Sequence, residues 1–269
     1  MEIEQSETLI GIFQGPFFES DLDVQKIGKK IILEAKLQQC DLIHIKGPIV
    51  SLRTEAYVLI RKGLTVQKLI KQLKDFLEKE STNTNIKRII YSESASEMTN
   101  YCDYPLEVQT KVYSNKKEIW TTSEEFKLKG IYYSFSGNDS LSLAWKHVQS
   151  NLKLGNKNIK KLMIASIAEQ KNRAALTAKE SYSDPRNLAR SHLFGKPLDL
   201  FIICSKKHTS IVQHGDKLVV TVHPFVTTQG FKQWTLIKVK DNGKSNGLIS
   251  KQLTVQILEA NQEDIFDES

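Results

Sequence analysis

The chain has 269 residues, of which 40% are hydrophobic and 26% charged, a composition that excludes wholesale disorder and allows one large or two small domains. No run approaches the roughly 20 apolar residues of a membrane-spanning helix, and the acidic N-terminal segment is unlike a targeting peptide. The three cysteines, Cys40, Cys102 and Cys204, are widely spaced, which argues against a disulfide framework or a cysteine zinc site. We therefore expect an intracellular protein, in the cytoplasm or nucleus, in a virion or at a membrane surface, that is not secreted.

Charge is distributed unevenly along the chain. The formal net charge is +7, but residues 1–23 carry −6 and residues 255–269 carry −5, which leaves +18 on residues 24–254. A body of this charge attracts polyanions. The sequence therefore predicts a basic binding surface between acidic ends.

The first third of the chain predicts strands and one helix. Short, β-branched apolar runs separated by glycine and proline are typical of strands and turns. A single apolar stripe that follows Thr65, a helix-capping residue, predicts an amphipathic helix over 65–80. The strands are predicted at 9–13, 31–37, 42–50, 56–60 and 87–91.

The rest of the chain alternates strands, turns and two further helices. Helical spacing of apolar residues predicts helices at 140–153 and 158–178, and polar segments predict turns at 208–216 and 241–247. Strands are predicted at 106–113, 130–135, 198–204, 218–222, 234–239 and 253–257. We therefore expect an α+β fold with a β-rich antiparallel sheet core and about three amphipathic helices, formed by one domain over 1–258 with an acidic, disordered tail at 259–269.

One group of residues matches a nuclease pattern. Metal-dependent nucleases hold a divalent cation between an acid on one strand and the Glu of a Glu-x-Lys on the next, while the lysine orients the attacking water. Asp23 (or Asp21), Glu34 and Lys36 resemble this D…ExK arrangement. The alternative is that Glu34 and Lys36 lie on the solvent side of a half-buried strand.

Other catalytic and cofactor motifs are missing from the sequence. The six histidines include no zinc-ligand spacing, and there is neither a G-x-S-x-G element nor a phosphate-binding glycine loop. We therefore expect no catalytic residues outside the nuclease alternative, no metal and no cofactor.

The basic surface is predicted from lysines and arginines in the middle of the chain. Residues 146–196 include eleven Lys or Arg and only three acidic residues. Lysine and arginine side chains bind phosphate oxygens without reading a base sequence. The predicted binding residues are Lys146, Lys153, Lys157, Lys160, Lys161, Lys171, Arg173, Arg186 and Arg190.

Two segments are similar to viral proteins. FKLKGIYYSFSGNDSLSLAWKHVQSNL, at 126–152, resembles segments of rhabdovirus-type matrix proteins and of tobamovirus-type movement proteins. GKPLDLFIICSKK, at 195–207, is similar to a strand of the movement group. The resemblance implies a viral binding protein that handles nucleic acid or nucleoprotein at membranes.

The sequence thus favours a non-enzymatic basic protein. The expected partners are nucleic acid, a nucleoprotein or an anionic membrane surface, with self-association left open. Two alternatives remain: a divalent-metal nuclease built on Asp23, Glu34 and Lys36, and a scaffold for protein partners whose acidic termini mask its basic body.

Overall fold

The computed structural model describes part of the chain, in two compact units. One unit comprises Met1–Ser92, Thr110–Thr121 and Pro224–Ser269, and the other Glu93–Gln109 and Thr122–His223. The predicted single domain and acidic tail stay predictions. The described residues are 7–18, 23–47, 49, 66–92, 110–112, 118–121, 125–128, 131–136, 199–205, 209–214, 217–245 and 248–261.

Fourteen strands and two helices lie in this described part of the chain. The helices are α1 (Val24–Leu37) and α2 (Val66–Ser81). The strands are β1 (Glu7–Gln14), β2 (Leu42–Lys46), β3 (Arg88–Ser92), β4 (Thr110–Val112), β5 (Glu118–Thr121), β6 (Glu125–Leu128), β7 (Ile131–Ser136), β8 (Leu200–Cys204), β9 (Ser210–His214), β10 (Lys217–Val222), β11 (Val226–Thr227), β12 (Gly230–Phe231), β13 (Gln233–Ser245) and β14 (Leu248–Glu259).

The first unit is built on a seven-stranded mixed sheet. Its strand order is β14-β13-β1-β2-β3-β5-β4. The neighbours β1, β2, β3 and β5 are parallel, while β13, β14 and β4 pair antiparallel. Because α1 joins β1 to β2 and α2 lies between β2 and β3 in the chain, this half of the sheet follows the β-α-β pattern that parallel strands require.

Helix α1 corrects the predicted strand at 31–37. Asp23 caps the helix, since its side chain accepts hydrogen bonds from the backbone N–H groups of Gln25 and Lys26 at 2.9 and 3.0 Å. Ile27, Ile31 and Ala35 follow at four-residue intervals and are at most 2% exposed. The β-branched pair at 31–32 resembles a strand only when this upstream periodicity is overlooked.

Helix α2 confirms the predicted helix at 65–80. Leu69, Leu73 and Leu77 are fully buried and form one stripe along it. The two helices lie close together, because a Cβ atom built on Gly28 of α1 would overlap the Phe76 ring of α2. Glycine therefore allows the contact between them.

One face of the sheet, here called the helical face, carries the helices. Its side chains, including Phe13, Ile43, Ile89 and Trp234, belong to the same buried cluster as the apolar stripes of α1 and α2. The Phe13 ring stacks on Trp234 with centroids 5.0 Å apart and meets Phe225 edge-on, also at 5.0 Å. Aromatic packing thus adds to the burial that stabilises this face.

Glu34 connects α1 to the strands beneath it on the helical face. Its carboxylate accepts hydrogen bonds from Trp234 Nε1 at 3.3 Å and from the backbone N–H of Asn261 at 2.8 Å. Lys30 Nζ, on the previous turn, lies 3.4 Å from it. Because Lys30 and Glu34 are 1% and 4% exposed, this buried pair joins α1 to β13 and to the end of β14.

The second unit contains a five-stranded sheet with the order β6-β7-β8-β10-β9. Its strand β8 confirms the predicted strand at 198–204, and its central residues Phe201, Ile202 and Ile203 are buried. The polar turn predicted at 208–216 is wrong, because Ser210–His214 forms β9, antiparallel to β10. The β-branched pair Ile211 and Val212 is a short strand signal, and the histidines and glycine around it favoured a turn.

The described chain confirms an α+β class, with mixed sheets and few helices. Predicted helices at 140–153 and 158–178, and the predicted strand at 56–60, lie outside the described residues. Neither α1 nor α2 is long and apolar enough to cross a bilayer.

Candidate functional site

Four parallel strands of the seven-stranded sheet end at the same edge. Their last residues, Gln14, Lys46, Ser92 and Thr121, form one continuous row in register across β1, β2, β3 and β5. Since side chains alternate along a strand, the first three lie on the face opposite the helices, here called the polar face. The carboxyl edge of parallel strands is the place where α/β sheets usually bind ligands.

The polar side chains at this edge are buried. Gln14, Lys46 and Ser92 are 2%, 1% and 2% exposed, and His44, two residues before Lys46 on the same face, is 0% exposed. We call these four residues the strand-end cluster. Burial of a lysine, an imidazole, an amide and a hydroxyl is unfavourable unless hydrogen bonds or charges compensate for lost hydration.

His44 and Ser92 are joined directly. His44 Nε2 lies 2.7 Å from Ser92 Oγ, so the two groups share a short hydrogen bond between β2 and β3. Burial lowers the pKa of His44 well below its usual value, and the positive charge of Lys46 lowers this pKa further. The imidazole is therefore neutral at neutral pH, with one nitrogen able to accept a proton.

Gln14 is the least satisfied member of the cluster. Its backbone carbonyl accepts a hydrogen bond from Phe225 N at 2.8 Å, but neither its side-chain Nε2 nor its Oε1 has a partner. A buried polar group without a partner costs about 1 to 3 kcal/mol. Such groups are expected where a structure is adapted to a ligand rather than to stability alone.

The cluster does not fit a divalent metal ion. Catalytic Zn²⁺, Mg²⁺ or Mn²⁺ needs several carboxylate, imidazole or thiolate ligands, whereas His44 is the one such ligand among the four residues. Lys46 would also repel a cation. Across the described residues, no group of three or more His, Cys, Asp or Glu is placed to hold a metal.

The same side chains fit an anion. Lys46 supplies positive charge, and the Gln14 amide and Ser92 hydroxyl supply donors on either side of it. Neighbouring strands are about 4.8 Å apart, so the backbones of Gln14 and Ser92 flank that of Lys46 at roughly 5 Å each. A tetrahedral oxyanion placed over Lys46 can accept hydrogen bonds from both flanking strands.

The nuclease residues are placed differently from the predicted pattern. All three belong to α1 rather than to two strands: Asp23 caps its start and Glu34 lies eleven residues later, roughly 16 Å along a helix that rises 1.5 Å per residue. Glu34 is buried and hydrogen-bonded to Trp234 and Asn261, while Lys36 is exposed. The structure therefore does not bring the three residues to one site.

The nine predicted basic binding residues lie outside the described part of the chain. Their shared surface thus remains a prediction. The described residues give no support to nucleic acid, a nucleoprotein or an anionic membrane as partners.

The strand-end cluster was missed in the sequence, although a signal for it exists. Gln14 and Lys46 each end an apolar strand and each precede a Gly-Pro pair. The strand wrongly predicted at 31–37 hid the helix between them, so the parallel order of β1 and β2 could not be recognised. With α1 assigned, both polar residues fall at one edge of the sheet.

No protein-family model matches the sequence, and no curated protein matches it. Solved structures do match. An archaeal phosphodiesterase is 11% identical, with 92% of this chain and 100% of that chain covered and a TM-score of 0.37. Chaetomium thermophilum Vps29 is 8% identical, with coverages of 94% and 98% and a TM-score of 0.32. A putative 5'-nucleotidase from Staphylococcus aureus is 10% identical, with coverages of 98% and 56% and a TM-score of 0.40.

These matches correct several predictions. They are phosphoesterase and Vps29 structures, so the predicted relationship to viral matrix or movement proteins is wrong. The non-enzymatic viral binding function is contradicted with it. The expectation that the chain is not an enzyme is contradicted by a set that includes a phosphodiesterase and a putative 5'-nucleotidase. The matches assign no activity to this chain. A function can be inferred only from its described side chains.

Proposed function

We propose that this protein binds the phosphate group of a phosphoester ligand at the strand-end cluster, without a metal ion. The observation that carries the proposal is Gln14, whose amide is 2% exposed and has no hydrogen-bond partner for either polar atom. It ends β1 beside the buried Lys46 that ends β2. A phosphate oxygen accepts from an amide N–H and from an ammonium group together, which would give the Gln14 amide the partner that it lacks.

Ser92 and His44 complete the phosphate site from the opposite side. Their hydrogen bond of 2.7 Å leaves the Ser92 oxygen fixed next to Lys46 in the strand-end row. Because His44 is held neutral, the cluster carries the single positive charge of Lys46. This favours a singly charged phosphodiester or a phosphomonoester monoanion over a dianion.

The strand-end cluster is closed to solvent. All four cluster residues are at most 2% exposed, so a ligand reaches them only when this face opens. We therefore expect slow association, because binding requires a conformational change.

Calorimetric titration with inorganic phosphate, a phosphomonoester and a phosphodiester, all in EDTA, tests the proposal. Lys46→Met should weaken binding about 10- to 100-fold, since a charge-assisted hydrogen bond contributes about 1.5 to 3 kcal/mol. Lys30→Met is the matched control, because Lys30 is also 1% exposed but lies on the helical face. Absence of saturable binding by wild type, or equal losses in both variants, would refute the site.

A second candidate function is hydrolysis of the bound ester, favoured by the distance of 2.7 Å between Ser92 Oγ and His44 Nε2. His44 would take the Ser92 proton as Oγ attacks phosphorus, and would return it to the departing alcohol oxygen when the ester P–O bond breaks. Water would then cleave the phosphoserine and release phosphate. The Lys46 charge and the Gln14 N–H would stabilise the oxyanion.

Release of alcohol from a chromogenic phosphoester in EDTA tests this second function. Ser92→Ala should remove turnover while leaving saturable phosphate binding, weakened at most about 10- to 100-fold, because one hydrogen bond to a charged group contributes about 1.5 to 3 kcal/mol. Turnover that survives in Ser92→Ala would exclude the serine mechanism. Binding without turnover in wild type would leave a phosphoester-binding protein.

A further inference from the structure

The exposed side of α1 combines leucine with lysine. Leu33 is 38% and Leu37 is 53% exposed, and they are two of the three large hydrophobic side chains that are exposed in the described part of the chain. Four residues separate them, so their Cβ atoms lie about 5 to 6 Å apart on one side of the helix. They form a small apolar surface that α1 does not bury against the sheet.

Lysines flank this leucine pair on the same side of α1. At 100° per residue, Lys26, Lys29, Leu33, Lys36 and Leu37 fall within an arc of about 100°, and all five are exposed. We call this set the Lys–Leu stripe. The one acidic residue inside α1 is Glu34, which is buried on the helical face, so the stripe carries three positive charges and no negative one.

Helix α2 shows that the leucines are the distinguishing feature. Its exposed residues within 68–81 are Lys68, Lys71, Gln72, Asp75 and Lys79, all of them polar. Both helices cover the same face of the same sheet. Within residues 68–81, α2 therefore has no exposed apolar residue, whereas α1 has two.

We propose that the Lys–Leu stripe docks an acidic amphipathic helix of a protein partner. Such a helix inserts apolar side chains against Leu33 and Leu37, while Glu or Asp residues on its flanks pair with Lys26, Lys29 and Lys36. The charge of the stripe selects an acidic partner, and the leucines favour a protein over a nucleic acid because phosphate groups offer nothing to bury them. This surface lies on the opposite side of the sheet from the strand-end cluster and does not depend on it.

Fluorescence anisotropy with the full chain and a stapled helical peptide tests the docking surface. The peptide carries leucines at i, i+4 and i+7 with glutamates on both flanks, and we expect micromolar binding that weakens with added salt. Leu33→Gln with Leu37→Gln should weaken binding at least about tenfold, as expected for central apolar contacts. Lys29→Gln with Lys36→Gln should weaken it and reduce its salt dependence.

The matched control is Lys71→Gln with Lys79→Gln on α2, which should change binding less than about twofold since rim charges outside a contact contribute little. Unchanged thermal unfolding of each variant ensures that the effects concern docking. The proposal is overturned if a peptide with glutamine in place of leucine binds equally well, or if the α2 control loses as much binding. It is also overturned if duplex DNA or phosphatidylserine vesicles bind more strongly through the same residues. Peptide binding that occurs only after deletion of residues 262–269 would overturn it as well.

Discussion

The two faces of the seven-stranded sheet use the same strands for different purposes. On the helical face, Phe13, Ile45 and Tyr91 precede the strand ends by one residue and pack with the helices. On the polar face, Gln14, Lys46 and Ser92 follow immediately and are buried as polar groups. Because alternate residues point to opposite sides, adjacent positions in the chain separate a stabilising core from a candidate ligand site.

Glu34 and Gln14, one buried polar residue on each face, differ in their hydrogen bonds. Glu34 on the helical face accepts two hydrogen bonds and lies within ion-pair distance of Lys30. Gln14 and Thr235 on the polar face contain side-chain atoms without partners. The Gln14 amide thus keeps unused hydrogen-bonding capacity at the strand-end cluster, as expected of functional sites.

The largest effect should come from breaking the helical face at Glu34. Glu34→Ala leaves Lys30 as a buried charge without its carboxylate and removes the acceptor of Trp234 and Asn261, so we expect a loss of about 3 to 5 kcal/mol in the free energy of unfolding. Urea unfolding followed by Trp fluorescence measures this loss. The double change Lys30→Met with Glu34→Leu should be milder, because no charge is left buried; a double change that is no milder would show that the hydrogen bonds dominate.

An opposite effect is expected at Gln14 on the polar face. Gln14→Leu removes a buried amide that has no side-chain partner, so it should raise the free energy of unfolding by about 1 to 3 kcal/mol while weakening phosphate binding about 10- to 100-fold.

Thr235→Val is the matched control for Gln14→Leu, since Thr235 Oγ1 is also buried without a partner but lies outside the strand-end row. It should stabilise by about 1 kcal/mol and leave binding unchanged. Destabilisation by Gln14→Leu, or equal loss of binding in both variants, would contradict the assigned role of Gln14.

A smaller, pH-dependent effect should arise from His44. Its pKa in the folded protein lies well below its usual value, whereas in the unfolded chain it titrates near pH 6.5. Between the two pKa values the unfolded chain binds a proton that the folded protein does not, so stability is complete above about pH 6.5 and decreases as pH falls, by at most about 1.4 kcal/mol per pH unit.

His44→Gln should flatten this part of the pH dependence, because it removes the titrating group and keeps a polar partner for Ser92. The measurement is urea unfolding of both proteins from pH 7.5 to 5. Parallel curves for the two proteins would mean that His44 does not provide the linkage.

The elements that the sequence predicted correctly are those with local signals. The apolar stripe of α2 and the β-branched runs of β1, β2 and β3 are visible within a single segment. The start of α1 was missed because glutamine, lysine and glycine follow its capping residue Asp23. These residues obscure the helical spacing of the apolar residues among them. Parallel pairing cannot be recognised in the individual strands, since it depends on which element connects them.

The candidate site depended on that missing element. Glu34 and Lys36 appeared catalytic only as strand residues, and their placement on α1 removed the metal site. A polar residue near the end of one strand indicates a ligand site only when neighbouring parallel strands end beside it. Gln14, His44 and Lys46 could therefore not be recognised as a candidate site in the sequence. The hydrogen bond between His44 and Ser92 joins residues 48 positions apart, a contact that no local pattern predicts.

The most direct test of the phosphate site observes the Gln14 amide itself. Selective ¹⁵N labelling of glutamine side chains, with Gln14→Leu to assign the resonance, allows its NH₂ signal to be followed during phosphate titration in EDTA. The account predicts a saturable shift of this signal in wild type and in Lys30→Met, and a shift that needs about 10- to 100-fold more phosphate in Lys46→Met. A Gln14 signal that stays constant while phosphate binds elsewhere would contradict the account.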